Sequence, residues 1–356
     1  YRSPNYRPAL RQPAQLCHDA RRGCDMGNRF YGQRTIRAAF TAAILVIGLA
    51  GCELPQPAAI PVSPGVRGSD VAGNDGPCGS TRTEVFNPQQ WELPTFVFEP
   101  TGCAGARPVI FFGHGYTASF TEAYRQFIDH LVSRGYVVVY PGYQLEFDPP
   151  KQYAAMDGGF VAGIASLPAD RVDLSRIGFI GHSFGAGMIP RMMQLADGRG
   201  WGATAMWAVS LSPAWSFLVG DGPIAVPSHA RVLTISYEDD FFVDTQIATE
   251  MLRALTIPDA NKQQLLIHRS WPYASDHLLP LTLPLPISAD HMDRWATWRP
   301  IDAWAGCTLS GVWCDLDLAD MGPGVARATI GLGVPDIGPP AIVECESIMS
   351  PRRCWP

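Results

Sequence analysis

Residues 177–196 read IGFIGHSFGAGMIPRMMQLA, and this stretch decides the fold. The apolar run Ile177–Ile180 is followed at once by Gly181-His182-Ser183-Phe184-Gly185, and apolar residues then recur at helical spacing. The pattern predicts a buried strand, a sharp turn with Ser183 at its tip, and a helix. Glycines two residues before and after the serine leave room for such a turn, which makes Ser183 the predicted nucleophile. The alternative is a glycine-rich turn with an idle serine.

Short apolar strands and helical segments alternate on both sides of this stretch. Parallel strands need crossover connections, so the alternation predicts an α/β fold with a mostly parallel central sheet and helices on both faces, in one catalytic domain over residues 81–300. Ser119 and Glu122 are expected to form a capping box at the first helix. The predicted strands are Val85-Phe86, Thr95–Phe98, Val109–Phe112, Val137–Tyr140, Ile177–Ile180, Ala205–Leu211, Arg231–Tyr237 and Gln264–His268, and the predicted helices lie at about 120–134, 154–166, 185–196 and 245–255.

A catalytic serine needs a base to take its proton and a third group to orient that base. After a turn of this kind the acid and then the histidine follow on loops beyond later strands. His277 lies in a loop just after the last predicted strand and is the predicted base. His268 falls within that strand, where we expect it to be packed or at an edge, and His291 opens a polar stretch, where we expect it to be solvated.

The loop after Arg231–Tyr237 should supply the acid, and it carries four carboxylates, Glu238, Asp239, Asp240 and Asp244. Asp244 is well placed to cap a helix that begins at Thr245. Acyl transfer also needs two N–H donors for the developing oxyanion. The main chain of Phe184, the residue after the nucleophile, is expected to supply one of them. The turn 112–116, Phe-Gly-His-Gly-Tyr, is expected to supply the other.

Several segments together resemble esterases of the α/β-hydrolase superfamily. They are the His114-Gly115 turn, the stretch 133–141 (SRGYVVVYP), the Ser183 motif, and the loops that hold Asp240 and His277. The resemblance is to the branch that includes chlorophyllase-like, platelet-activating-factor-acetylhydrolase-like and bacterial polyester-hydrolase-like enzymes. It covers roughly residues 83–298 and implies the α/β-hydrolase fold.

The resemblance also implies particular roles. The acid loop is similar to the family pattern Gly-Asp/Glu-x-Asp-x-x-Val-Pro, whose second acid is the triad member, and this points to Asp240 with Asp239 as its rival. Tyr237 and Asp244 depart from the pattern, since they stand where the family has Gly and Pro. By the same match the second oxyanion donor is the amide of Tyr116, and His114 orients the turn. Trp215 corresponds in position to a substrate-contacting Trp of polyester hydrolases.

Only 19 residues, 212–230, separate two predicted strands at the usual position of a cap domain, and three of them are proline. We therefore expect a minimal cap and an open groove. Tyr116, Phe184, Trp215 and Phe241 would line it and favour a small-molecule or polymeric ester with apolar acyl groups. His182 is also assigned to substrate binding.

The functional hypothesis is a serine carboxylic-ester hydrolase that works through Ser183, His277 and Asp240 and an acyl-enzyme, without a cofactor or metal. The cluster Asp315, Asp317, Asp320 lacks the Gly and distal Glu of a calcium loop and predicts a solvated turn. Two alternatives stay open. One is a catalytically silent protein of this fold that binds an apolar ligand or an envelope partner, and the other is an amidase or peptidase on the same scaffold.

The N-terminal region predicts export. Residues 1–25 are interpreted as an upstream extension and 26–51 as a signal peptide, because basic residues precede the 12-residue apolar run Ala38–Leu49, too short to span a bilayer. Leu49-Ala50-Gly51-Cys52 resembles a bacterial lipobox, which implies acylation of Cys52 and membrane attachment in the cell envelope, outer membrane or facing the periplasm. Residues 52–80, rich in Pro and Gly, are the predicted tether.

Charge and cysteine content agree with that location. The net charge is −6, and residues 1–51 hold eight Arg and two Asp, so the remainder carries 19 basic and 31 acidic residues. Such a surface repels phosphate backbones and predicts no nucleic-acid partner. We expect a monomer. The six cysteines after Cys52 predict disulfides. Four of them lie in residues 301–356, which are interpreted as an irregular C-terminal extension that disulfides pin to the core. Pairing of near neighbours would give 78–103, 307–314 and 345–354.

Overall fold

The computed structural model describes residues 71–144, 147–220, 222–282 and 289–332. The predicted extension, signal peptide and lipidated Cys52 lie outside the described residues, as do most of the tether and the pair Cys345 and Cys354. Among the described helices, none is both long enough and apolar enough to cross a membrane.

The described residues form one nine-stranded sheet in the order β1-β2-β4-β3-β5-β6-β7-β8-β9. The six central strands, β4, β3, β5, β6, β7 and β8, pair in parallel, whereas β1, β2 and β9 are antiparallel to their neighbours. The parallel strands are apolar because helices cover both of their faces. The bounds are β1 Gly79–Val85, β2 Thr95–Thr101, β3 Arg107–Gly113, β4 Val137–Pro141, β5 Val172–His182, β6 Ala205–Leu211, β7 Arg231–Tyr237, β8 Lys262–Ile267 and β9 Thr329–Leu332.

Successive side chains of the strands point to opposite faces of the sheet and pack into two hydrophobic cores, one on each face. The helices are α1 Arg125–Ser133, α2 Pro149–Ala165, α3 Phe184–Asp197, α4 Gln246–Ala254 and α5 Arg299–Ser310. Ile110 and Phe112 of β3 join the core under α1 and α5, whereas Val109 and Phe111 join the core under α2, α3 and α4. This is the α/β-hydrolase architecture predicted from the sequence, with helices on both faces.

Two helix starts differ from the prediction. No capping box forms at Ser119 because the chain enters α1 through a 3-10 turn, Thr121–Tyr124, and the Glu122 carboxylate bonds to Arg82 of β1 instead. Helix α2 begins at Pro149, earlier than the predicted residue 154. Asp148 caps it by accepting from the Lys151 N–H at 3.3 Å, and prolines occupy its first two positions, where no N–H is needed.

The C-terminal region is more regular than its sequence suggests. Helix α5 packs into the core beneath α1, and β9 pairs with β8 as an edge strand. A π-helical turn, Asp293–Trp298, leads directly into α5. The Cys307–Cys314 disulfide closes a short loop at the end of α5, which confirms that predicted pairing.

The chain enters the domain against the C-terminal end of α1. The Cys78 N–H donates to the Ser133 carbonyl at 3.0 Å, and the predicted Cys78–Cys103 disulfide is present. A charge network around buried His130 and Asp302 holds the same segment, since the Gly73 N–H donates to Asp302 at 2.8 Å and the His130 ring lies between Asp302 and the more exposed Asp75. The first described residues are therefore fastened to both α1 and α5.

Candidate active site

The predicted nucleophile stands at the junction of β5 and α3. Ser183 has φ +54° and ψ −119°, a backbone conformation that L-residues rarely adopt and that costs on the order of 1–3 kcal/mol. Its N–H donates to the Leu211 carbonyl at 2.9 Å, and its carbonyl accepts from Ala214 at 2.9 Å. These bonds from the end of β6 hold the strained turn in place.

Close packing explains both glycines of the motif. A Cβ on Gly181 would lie 2.7 Å from the main-chain N of Ala186. A Cβ on Gly185 would collide with the carbonyl oxygen of Gly113 and would lie 2.5 Å from that of His114. The start of α3 therefore touches the loop after β3, which is the loop predicted to hold the second oxyanion donor.

Asp240 and His277 meet beyond the carboxyl ends of β7 and β8. His277 Nδ1 lies 2.8 Å from Asp240 Oδ2, and the Asp240 Oδ1 accepts from the N–H groups of Phe242 and Val243, both at 2.9 Å. The two loops are joined by their main chains, since the Asp239 N–H donates to the Ser275 carbonyl at 2.8 Å. The carboxylate is thus held by three donors, one of which is the histidine ring.

The pKa of Asp240 is lowered from its usual value. Burial of the side chain acts to raise this pKa, but the hydrogen bond and charge interaction with His277, together with smaller contributions from Ser212 and the Val243 N–H, outweigh it. An ionised Asp240 accepts the hydrogen on Nδ1 of His277. The neutral ring then carries its lone pair on Nε2, which is the tautomer that a general base requires.

The other candidate acids and bases have different partners. Asp239 forms an ion pair with Arg269 at the surface, and Asp244 accepts from the Gln246 N–H at 2.9 Å, at the start of α4 as predicted. His268 follows β8 and bonds to Thr329 at 2.7 Å, at the sheet edge. The expectation that His291 is solvated is wrong, because its Nε2 bonds to the Met321 carbonyl and its ring stacks between Tyr273 and Trp295.

The turn after β3 is fixed from several sides. Its Thr117 N–H donates to Gln144 Oε1 at 2.7 Å, and Tyr143 Oη donates to the His114 carbonyl. Burial lowers the pKa of His114 to about 3, although its bond to the Gly115 carbonyl acts the other way, so its ring is neutral and stacks on Tyr143. His114 therefore orients the turn, in line with its predicted role. The Phe184 amide, as the first residue of α3, has no acceptor within its own helix.

His182 directly precedes the nucleophile in the chain and is 3% exposed. Its Nδ1 is 2.7 Å from Tyr124 Oη and its Nε2 is 2.8 Å from the carbonyl oxygen of His277. Both ring nitrogens are thus engaged by protein groups. A positioning role fits this arrangement better than the predicted contact with substrate.

Aromatic side chains surround the start of α3. Partly buried Tyr116, Phe147 and Phe217 pack on the buried Phe184, with ring centroids between 5.9 and 6.2 Å from its own. Trp215 is half-buried beside α3, with its carbonyl near Gly187. The described residues between β6 and β7 contain no helix, in agreement with the minimal cap.

The predicted groove residue Phe241 is 78% exposed and stacks on Phe242. Phe242 is the closer of the two to the base, with its ring 5.1 Å from that of His277. Sequence reasoning missed Tyr124, Phe147, Phe217 and Phe242. The only available signal was for Phe242, in the acid loop, because the other three come from segments that show no motif.

Residues 76–189 match the family model named Chlorophyllase. The matched segment runs from the entry of the domain into α3 and contains the His114 turn and Ser183, but it ends before Asp240 and His277. No curated protein matches the chain. The nine-stranded sheet and this match together give the chain the α/β-hydrolase fold and similarity to chlorophyllases, which indicates a hydrolase that acts on esters.

Proposed function

We propose that the protein is a serine carboxylic-ester hydrolase whose triad is Ser183, His277 and Asp240. The observation that carries the proposal is the pair of His277 Nδ1 and Asp240 Oδ2 at 2.8 Å, together with a neighbouring strand-to-helix turn that strains the backbone of Ser183. The carbonyl of His277 is bonded to His182, the residue before that serine, so the base and the nucleophile share one framework.

The reaction proceeds by two acyl transfers. His277 Nε2 takes the proton of Ser183 Oγ as this oxygen attacks the ester carbonyl carbon, and the negative charge moves to the carbonyl oxygen. The amides of Phe184 and Tyr116 stabilise this oxyanion. When the intermediate collapses, the ester C–O bond breaks and the imidazolium gives its proton to the departing alcohol. Water then attacks the acyl-enzyme, assisted in the same way, and releases the acid and Ser183.

The ester that fits this site has an apolar acyl part or is a polyester segment. The partly buried rings of Tyr116, Phe147 and Phe217 next to the nucleophile provide apolar contact area of low conformational cost. The small connection between β6 and β7 supports access for bulky substrates. Phe241 and Trp215 are proposed as outer contacts, because both lie on loops that follow strands of the site.

We also propose that the protein is exported and anchored through acylated Cys52, as a monomer in a bacterial envelope. Two disulfides among the described residues support an oxidising compartment. Growth with labelled palmitate tests the anchor. Label incorporated into the wild type but not into Cys52→Ala supports it, and label in both or neither contradicts it.

Fluorophosphonate labelling together with ester hydrolysis tests the enzymatic proposal. The wild type should label and cleave p-nitrophenyl esters, while Ser183→Ala should do neither. Ser210→Ala, which removes a buried serine from the neighbouring strand β6, should behave as the wild type. Absence of labelling in the wild type, or equal labelling of Ser183→Ala, would contradict the proposal. Faster cleavage of matched amides than of esters would point to a peptidase or amidase instead.

A further inference from the structure

Three hydrogen bonds connect the turn after β3 to the loop of His277. The Gly115 N–H donates to Tyr124 Oη at 2.9 Å, Tyr124 Oη lies 2.7 Å from His182 Nδ1, and His182 Nε2 lies 2.8 Å from the His277 carbonyl oxygen. Tyr124 and His182 are both buried. The chain of bonds therefore passes through the residue next to Ser183 and joins the turn 112–116 to the loop of His277.

The direction of every bond follows from its end groups. A main-chain N–H can only donate, so Gly115 uses a lone pair of Tyr124 Oη. A carbonyl oxygen can only accept, so His182 must carry its hydrogen on Nε2. The bare Nδ1 of that tautomer accepts the Tyr124 O–H. Burial, assisted by the neighbouring His277, lowers the pKa of His182 to about 3, so the ring stays neutral at ordinary pH and the tautomer is not disturbed.

We propose that Tyr124 and His182 form a hydrogen-bonded positioning pair, called the relay below, which fixes the oxyanion turn and the catalytic base in position relative to Ser183. The inference rests on the proposed function. His277 is attached at two points, its ring to Asp240 and its carbonyl to His182, and both are needed to direct Nε2 towards the serine. The other end of the relay sets the main chain of Gly115, next to the proposed donor Tyr116.

Packing alone does not require this arrangement. Phenylalanine in place of Tyr124 would preserve the contacts of its ring with Phe112 and Tyr140. It would leave the Gly115 N–H and His182 Nδ1 without their shared partner. Tyr140 provides a matched comparison, since its hydroxyl donates to the carbonyl of Ala118, with that of Phe120 at 3.4 Å, both after the turn 112–116, and bonds to neither Gly115 nor His182.

Steady-state kinetics on p-nitrophenyl esters test the relay. Tyr124→Phe should lower kcat about 10- to 100-fold with little change in KM, because displacement of a catalytic group by about 1 Å can cost about 100-fold. Tyr140→Phe should retain most of the kcat at a similar loss of melting temperature. His182→Gln, whose amide N–H can still reach the His277 carbonyl, should be more active than His182→Phe. Equal losses in the two tyrosine variants, or equal activity of the two His182 variants, would overturn the relay.

A second measurement separates this inference from the proposed function. In ring-labelled protein, ¹⁵N NMR should find His182 as the Nε2–H tautomer, and Tyr124→Phe but not Tyr140→Phe should shift the Nδ1–H resonance of His277. These shifts do not depend on turnover. If the wild type cleaves no ester, the proposed function fails while the NMR result still decides the relay. An Nδ1–H tautomer at His182, or an unshifted His277 resonance in Tyr124→Phe, would overturn it.

Discussion

Replacement of Asp240 by asparagine should almost abolish ester hydrolysis without unfolding the protein. The carboxylate accepts from three donors, the ring of His277 and the N–H groups of Phe242 and Val243. Asparagine has nearly the same shape but only one acceptor oxygen. It can serve the two main-chain donors or the histidine, but not both.

The hydrogen bonds around Asp240 indicate which orientation of the asparagine amide is favoured. If the amide oxygen turns to His277, the two N–H groups of Phe242 and Val243 face an NH₂ group. Each buried donor left without an acceptor costs about 1–3 kcal/mol, so this arrangement is disfavoured by about 2–6 kcal/mol. The oxygen therefore stays with the main chain and the NH₂ group faces His277. Nδ1 must then accept, and the ring hydrogen moves to Nε2, where it blocks proton transfer from Ser183.

We expect kcat/KM for a short p-nitrophenyl ester to fall by about 10⁴, which corresponds to about 5.4 kcal/mol of transition-state stabilisation. The matched control is Asp239→Asn, which removes the rival carboxylate and its surface ion pair with Arg269. Surface ion pairs are worth about 0–1 kcal/mol, so this variant should stay close to the wild type. The reasoning is refuted if Asp240→Asn loses less than about tenfold at an unchanged melting temperature, or if the two variants lose activity equally.

Further predictions concern packing, disulfides and pH. Gly185→Ala should remove activity and lower the melting temperature, because its methyl group would strike carbonyl oxygens of the turn after β3, whereas Gly198→Ala, whose nearest neighbour would be 3.5 Å away, should be neutral in the same assays. Loss of Cys78–Cys103, which spans 25 residues, should cost about 3.5 kcal/mol in urea unfolding, against about 2.4 kcal/mol for the 7-residue span of Cys307–Cys314, and the reverse order would contradict the loop-entropy account. Burial acts to lower the pKa of His130, but Asp302 and Asp75 outweigh it, and the pKa is raised. The protonated ring therefore stabilises the folded protein fully below pH 6.5, the pKa of histidine in the unfolded chain. This stabilisation disappears as the pH rises through the pKa of His130 in the folded protein. The unfolding free energy lost in His130→Gln should thus shrink as the pH rises above 6.5 and through the pKa of the folded protein, and a loss that grows with pH would contradict the assignment.

The sequence predicts the central sheet and the Ser183 turn well because their signals are local. Each parallel strand is a short apolar run, and the turn needs glycines at fixed offsets from the serine. The start of α2 had a local signal too, Asp148 followed by two prolines, but the helix is apolar on several sides and shows little helical periodicity. Its start was therefore placed too late.

The sequence does not predict features that depend on contacts between distant residues. The capping box at Ser119 failed because Arg82, from a strand about 40 residues earlier, takes the Glu122 carboxylate. Edge strand β9 owes its conformation to its pairing with β8, because its four residues include a glycine and are too few for the β-branched Thr329 and Ile330 to predict a strand. Phe147 and Phe217 reach Phe184 from different loops, so their place beside the nucleophile depends on tertiary packing.

The entry segment and the proposed site lie at opposite ends of the parallel strands. Residues 71–78 attach beside Ser133, where α1 ends, just before β4 begins, and so mark the amino ends of the parallel strands. Ser183 and the loops of Asp240 and His277 leave from the carboxyl ends of β5, β7 and β8. Chain that precedes residue 71 thus joins the domain at the edge away from the site. The pH-sensitive contacts of His130 lie at this same end of the strands, so a change of pH that loosens residues 71–78 need not disturb the triad.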